Sequence, residues 1–216
     1  MAKAKTVYAC HNCGYQSPKW MGKCPDCNQW NSFAEETFEK NSSARSELSL
    51  GSKEEPAPIH EITTAEEGRV QCGIGEFDRV LGGGLVPGSV ILIGGDPGIG
   101  KSTLLLQAVA AVSNKDVTCL YVSGEESQRQ IKMRAERLAI EAPNLLVLSE
   151  TSLERILDHV KKIKPGLLVI DSVQTLFSSA IPSAPGSIAQ VRETSGAIIV
   201  LAKKTGLTTF LIGHVT

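Results

Sequence analysis

The chain has 216 residues, 42% of them hydrophobic and 21% charged, with a net charge of -1 at neutral pH. That balance suits a single sizeable globular core with a small module attached, and it carries no bulk electrostatic signature of a nucleic-acid binder, while leaving room for a local basic patch. The opening MAKAKTVYACHNCGY lacks the apolar stretch of a secretory signal, and no apolar run reaches the roughly 18 residues that span a bilayer, so the expected compartment is the cytoplasm with no membrane partner.

Four of the six cysteines fall in the first thirty residues, as Cys10-x2-Cys13 and Cys24-x2-Cys27. In a reducing compartment, two such pairs point to metal rather than to disulfides. Their four thiolates can close tetrahedrally around one structural Zn²⁺, and a module this small would take its folding energy from the metal. A redox CxxC pair is the rival reading, but neither pair sits in a βαβ context. His11 is a bystander when four thiolates are available. Gly14 and Pro25 help the two tight turns. Lys19, Trp20, Lys23 and Trp30 form either a stacking surface for a single strand of nucleic acid or two packing tryptophans with solvated lysines. We assign residues 1–33 to this zinc module and expect no strand or helix period in it long enough for a core.

Residues 34–58, including EETFEKNSSARSELSLGSKEEPAP, are charged, Ser-rich and end in prolines, and we read them as a flexible linker. From residue 59 to 216 the pattern changes. Short apolar runs recur at 90–95 (VILIGG), 117–123 (VTCLYVS), 144–149 (NLLVLS), 166–171 (GLLVID) and 208–213 (TTFLIG), each reading as a strand buried on both faces. Helical periodicity spans Leu104–Val112, Ile131–Ile140, Leu153–Ile163 and Ile188–Ala202. Alternating strands and helices predict an α/β fold, a parallel sheet covered on both faces. Cys72 and Cys119, in apolar contexts, are expected to be buried structural thiols.

The segment GDPGIGKST carries the chemistry. Gly95, Asp96, Pro97, Gly98, Ile99, Gly100, Lys101, Ser102 and Thr103 follow a strand and open a helix, the context a phosphate-binding loop requires. Its glycines let successive N–H groups converge on one anion at the positive end of a helix. Lys101 is expected to reach the β- and γ-phosphates of ATP, Ser102 to ligate Mg²⁺, and Thr103 to contact the α-phosphate. Asp171 ends a strand at the carboxyl edge of the sheet, where ligands of open α/β sheets gather, and is the second Mg²⁺ acid. Glu125 and Glu126 follow the strand VTCLYVS; Glu125 is the candidate that orients and deprotonates water, while Glu126 is equally a helix N-terminal acid. Phe177–Gln190 reads as either a mobile loop or a plain connector. The chain stops directly after the last strand, which reads as a fragment of a longer protein.

Taken together, CHNCGYQSPKWMGKCPDCNQWNSF, CGIGEFDRVLGGGLVPGSVILIGGDPGIGKSTL and the final LIGHVT resemble the bacterial RadA (Sms) family, whose core is similar to RecA, KaiC and the replicative hexameric helicases. The resemblance implies a DNA-repair ATPase, binding single-stranded or branched DNA, working with recombinase machinery as a homo-hexamer and promoting branch migration. It implies Walker A roles for Lys101 and Ser102, a Walker B role for Asp171, the catalytic carboxylate for Glu125, and a nucleotide-sensing role for His214. RadA proteins carry in addition a Lys-Asn-Arg-Phe-Gly motif and a Lon-protease-like domain, neither of which lies within these residues. The alternative is a nucleotide-dependent switch or a KaiC-like ATPase without DNA-coupled turnover.

Overall fold

The computed structural model describes residues 5–10, 12, 14–38, 55–61, 68–181 and 183–214. His11, Cys13, residues 39–54 of the expected linker and the final Val215 and Thr216 lie outside them.

The N-terminal residues form a small antiparallel sheet from β1 (Lys5–Cys10), β2 (Gln16–Ser17) and β3 (Phe33–Phe38), in the order β2-β1-β3. The sequence carries no period long enough for a core there, and the strands that form are short. The strands are too short to leave a readable period, and antiparallel register, pairing Tyr8 with Ser17 and Cys10 with Phe33, defines them instead. β3 continues to Phe38, so residues 34–38 of the expected linker are strand. The interior of the sheet is Cys10, Cys24 and Phe33, flanked by Tyr8, Met21 and Cys27.

The rest of the described chain runs α1 (Gly75–Val80), β4 (Val90–Gly95), α2 (Lys101–Ser113), β5 (Cys119–Ser123), α3 (Gln128–Arg137), β6 (Leu145–Ser149), α4 (Leu153–Ile163), β7 (Leu167–Asp171), α5 (Ile188–Thr205) and β8 (Thr208–His214). Its five strands form an all-parallel sheet in the order β4-β8-β7-β5-β6. The expected parallel α/β fold is thus present. Strand side chains alternate between faces, and the two faces build two cores. Cys119, Tyr121, Leu167, Val169, Phe210 and Ile212 pack with α2 residues such as Leu105 and Val109. Leu120, Val122, Leu168, Ile170 and Leu211 pack with Ile156 and Val160 of α4 and Ile198 of α5. β5 and β7 are buried on both faces, as expected, whereas β4 and β6 are edge strands with one partner each and alternate in exposure.

Helix starts follow capping chemistry. Ser127 and Gln130 form a reciprocal capping box at α3, and Ser152 and Ser187 cap α4 and α5. α1, with six residues, is too short to show a period in the sequence; its Asp78 carboxylate accepts from the backbone N–H groups of Cys72 and Gly73 at 2.7 and 3.0 Å. Cys72 and Cys119 are fully buried as expected. Burial pushes both thiols up to about 12, helped at Cys72 by the neighbouring Asp78. Among the described residues, no helix is long and apolar enough to cross a membrane.

Candidate functional site

The site assembles at the carboxyl edge of the sheet because parallel register brings several strand ends level there. β4 and β8 pair so that Gly95 faces His214, and β5 and β7 pair so that Ser123 faces Asp171. The Gly124 N–H then donates to the Asp171 carbonyl at 2.8 Å, tying the turn after β5 to the end of β7.

The loop from Gly95 to Gly100 leads into α2 through Gly95, Gly98 and Gly100, whose φ values of 156°, 79° and 102° are ones that side chains with a Cβ rarely adopt. Asp96, Pro97, Gly98, Ile99 and Gly100 are exposed. Lys101 is 7% exposed; its ammonium curls back to donate to the carbonyls of Gly95 and Asp96 at 2.7 and 2.8 Å. Ser102 and Thr103 are half-buried in the first turn of α2.

Two hydrogen-bonded chains join these groups. In the first, the Tyr121 hydroxyl donates to Asp171 Oδ2 at 2.5 Å, and Ser102 hydrogen-bonds the same phenol. Burial, followed by the charge of Asp171, pushes the Tyr121 phenol well above its ordinary range, so it stays a donor. Asp171 is thereby oriented on the α2 side of the sheet, next to Ser102. In the second chain, Ser172 Oγ donates to Glu125 Oε1 at 2.6 Å, and the same oxygen lies 3.0 Å from His214 Nε2. His214 Nδ1 in turn lies 3.4 Å from Lys101 Nζ. With Lys101 donating to Nδ1, the Nε2–H tautomer is the one that donates to Glu125. Gln174 Nε2 holds the His214 carbonyl at 3.1 Å. Burial pushes the Glu125 carboxyl up, but hydrogen bonds from Ser172 and His214 and the charges of His214 and Lys101 outweigh it and hold it below its ordinary value.

The two neighbouring acids are separated by their partners. Glu126 forms an ion pair with Arg134 of α3 and stands outside the Ser127 cap, whereas Glu125 reaches into the chain described above. Gly124 sits where any Cβ would lie 2.1 Å from Thr175 Oγ1, so only glycine lets the Val173–Thr175 turn close against the turn bearing Glu125.

In the N-terminal sheet, Cys10, Cys24 and Cys27 bring their sulfurs within 4.8 Å of one another, with 3.6 Å between Cys10 and Cys27. Two matching knuckles position them. Cys10 N–H donates to Tyr15 O and Gly14 N–H to Cys10 O; Cys24 N–H donates to Gln29 O and Asn28 N–H to Cys24 O. Three converging thiols are the donor chemistry of a structural zinc site, so the residues present fit the metal.

Sequence reasoning missed Tyr121, Ser172 and Gln174. Tyr121 left a trace, since a phenol inside an otherwise apolar buried run must find a partner for its hydroxyl. Ser172 left none beyond its place after Asp171. The stretch Phe177–Gln190, read as a mobile loop or a connector, is hydrogen-bonded at its base. The buried Gln190 amide donates to the carbonyls of Ser178, Ile181 and Ser183 and accepts from Ser178 N–H, while Glu154 accepts from Ser178 and Ser179.

Comparison with known proteins follows the same division. Residues 56–216 match the family model described as AAA domain, and residues 8–35 match one described as rubredoxin metal binding domain. Curated proteins described as DNA repair protein RadA are similar along the whole chain: 52% identical in Bacillus subtilis (strain 168), covering 100% of this chain and 48% of that protein. The Listeria monocytogenes relative is 48% identical, again covering 100% of this chain and 48% of its own length. The chain therefore spans about half the length of the curated relatives it matches. The flagellar accessory protein FlaH from Methanocaldococcus jannaschii shares the fold, with a TM-score of 0.54 at 15% identity over 69% of this chain and 71% of that one.

Proposed function

The chain belongs to the AAA domain family, and on that footing we propose that it binds Mg·ATP on the Gly95–Thr103 loop and hydrolyses it to drive work on DNA during repair. The observation that carries this reading is the Lys101–His214–Glu125–Ser172 chain, which links the group that would meet the phosphates to the carboxylate that would meet water. Lys101 exchanges its bonds to the Gly95 and Asp96 carbonyls for β- and γ-phosphate oxygens. Ser102 and Asp171 would hold Mg²⁺, which supplies charge neutralisation at the transferring phosphoryl group. Glu125, ionised and fixed by Ser172 and His214, orients the attacking water and accepts its proton. His214 senses the γ-phosphate, because movement of the Lys101 ammonium changes what Nδ1 accepts.

Residues 96–100 are exposed, which suits a nucleotide closed over by a neighbouring subunit of a homo-hexamer. The DNA proposed is single-stranded or branched, the work branch migration of recombination intermediates, and the partners recombinase machinery; the likeness to RadA proteins supports these readings. Zn²⁺ in the N-terminal module would be held by Cys10, Cys24 and Cys27, with Cys13 as the fourth thiolate by its place in the first pair.

The test is steady-state ATP hydrolysis by the chain and by Lys101→Ala, each with and without single-stranded DNA. Turnover that rises with DNA and vanishes in the variant is expected. Turnover indifferent to DNA would instead establish a nucleotide-dependent switch of the KaiC kind, and absence of ATP binding would overturn the site.

A further inference from the structure

Both tryptophans of the chain lie in the metal module, and neither serves its interior. Trp20 is 55% and Trp30 69% exposed. Both stand beside Gly22 because the chain folds back on itself there: Lys23 pairs with Trp30 across an antiparallel bridge, and Asn31 N–H donates to Gly22 O at 2.8 Å. A Cβ on Gly22 would stand 3.7 Å from the Trp20 ring and 3.9 Å from the Trp30 ring, so the two indoles flank a strip of bare backbone. The Lys23 ammonium stands 5.7 Å from the centroid of the Trp30 ring.

The chemistry around the indoles is polar and cationic. The stretch PKWMGKCPDCNQWNS (18–32) contributes Lys19, Lys23, Asn28, Gln29 and Asn31 against a single acid, Asp26. Met21, the neighbouring aliphatic side chain, packs against the cysteine core. The exposed apolar surface here is therefore flat aromatic ring, without the continuous aliphatic floor that the core of a protein interface carries. Flat rings with adjacent ammonium groups match a single-stranded nucleic acid, whose bases present a π-face and whose phosphates need a cation one stack away.

We propose that Trp20 and Trp30 form a stacking platform for bases of a single strand, with Lys19 and Lys23 meeting its phosphates. The proposal rests on the reading that the chain works on single-stranded DNA, and it assigns part of that contact to the metal module rather than to the loops at the nucleotide site.

The experiment uses the full chain, its metal content verified, titrated with an oligo-dT strand. With 2 tryptophans in the sequence, tryptophan emission excited to the red of tyrosine absorption reports on this patch alone. Saturable quenching is expected, and fluorescence anisotropy of a labelled strand should show Trp20→Ala and Trp30→Ala each binding about tenfold more weakly, with metal content and DNA-free ATP turnover unchanged. Trp30→Phe should recover most of the affinity, since a phenyl ring still stacks. Equal binding by wild type and both alanine variants would overturn the platform while leaving DNA binding in place, and would give the indoles to a protein surface. Absence of DNA binding by the wild-type chain would overturn the DNA reading and the platform with it.

Discussion

Replacing Ser172 by Ala tests whether the hydroxyl beside Asp171 holds Glu125 for chemistry. The hydroxyl donates to Glu125 Oε1 at 2.6 Å from a fully buried position, while His214 supplies the other contact to the same oxygen at 3.0 Å. A hydrogen bond to a charged group contributes about 1.5–3 kcal/mol. The Glu125 side chain is 41% exposed, so water screens the bond and the lower end applies. About 1.4 kcal/mol is tenfold in rate, so kcat should fall about tenfold with KM for ATP little changed. Ser172→Ala also removes one of the influences that hold the Glu125 carboxyl below its ordinary value, so that value rises. The base must be ionised, so activity present above the folded-state value is lost as pH falls through it, and the acid limb of kcat should move to higher pH. Stability follows the same sign: a lowered carboxyl contributes stability above its unfolded value, lost as pH falls through the folded one, and the variant should narrow that window. Steady-state kinetics across pH measure both effects. A rise in KM with kcat intact, or an acid limb that does not move, would refute the reasoning.

Tyr121→Phe removes the buried donor to Asp171 and should cost about 1.5–3 kcal/mol in urea denaturation while raising the Mg²⁺ concentration needed for turnover. Gly124→Ala drives a Cβ into Thr175 Oγ1 at 2.1 Å and should destabilise by about 1–3 kcal/mol, with Gly124→Ala/Thr175→Gly recovering part of the loss in the same melts. Chelation of the metal, or Cys24→Ser, should abolish the fold of residues 5–38 and open that segment to limited proteolysis, while ATP binding persists.

The apolar runs at 117–123 and 166–171, and the glycines that open α2, were legible because local chemistry decides them. A buried parallel strand needs an unbroken apolar run, and the loop into α2 holds Gly95, Gly98 and Gly100 at conformations open to few other residues. The cysteine knuckles were legible for the same reason, since the paired spacing marks the tight turns at Cys10 and Cys24. Short elements such as β2 and α1 were not, because two or six residues hold no period and only contacts with distant chain define them. The site itself lay between these extremes. Glu125 and Glu126 are adjacent acids of the same chemistry, and only the fold separated them, giving one to Arg134 and the other to Ser172 and His214. Tyr121 meets Asp171 across 50 residues and His214 meets Lys101 across 113, through strand order and register that no local pattern encodes. Sequence by itself determined which groups could do chemistry; tertiary structure decided which of them stand within hydrogen-bond reach, because hydrogen bonds depend on ångström-scale placement that only the packed sheet provides.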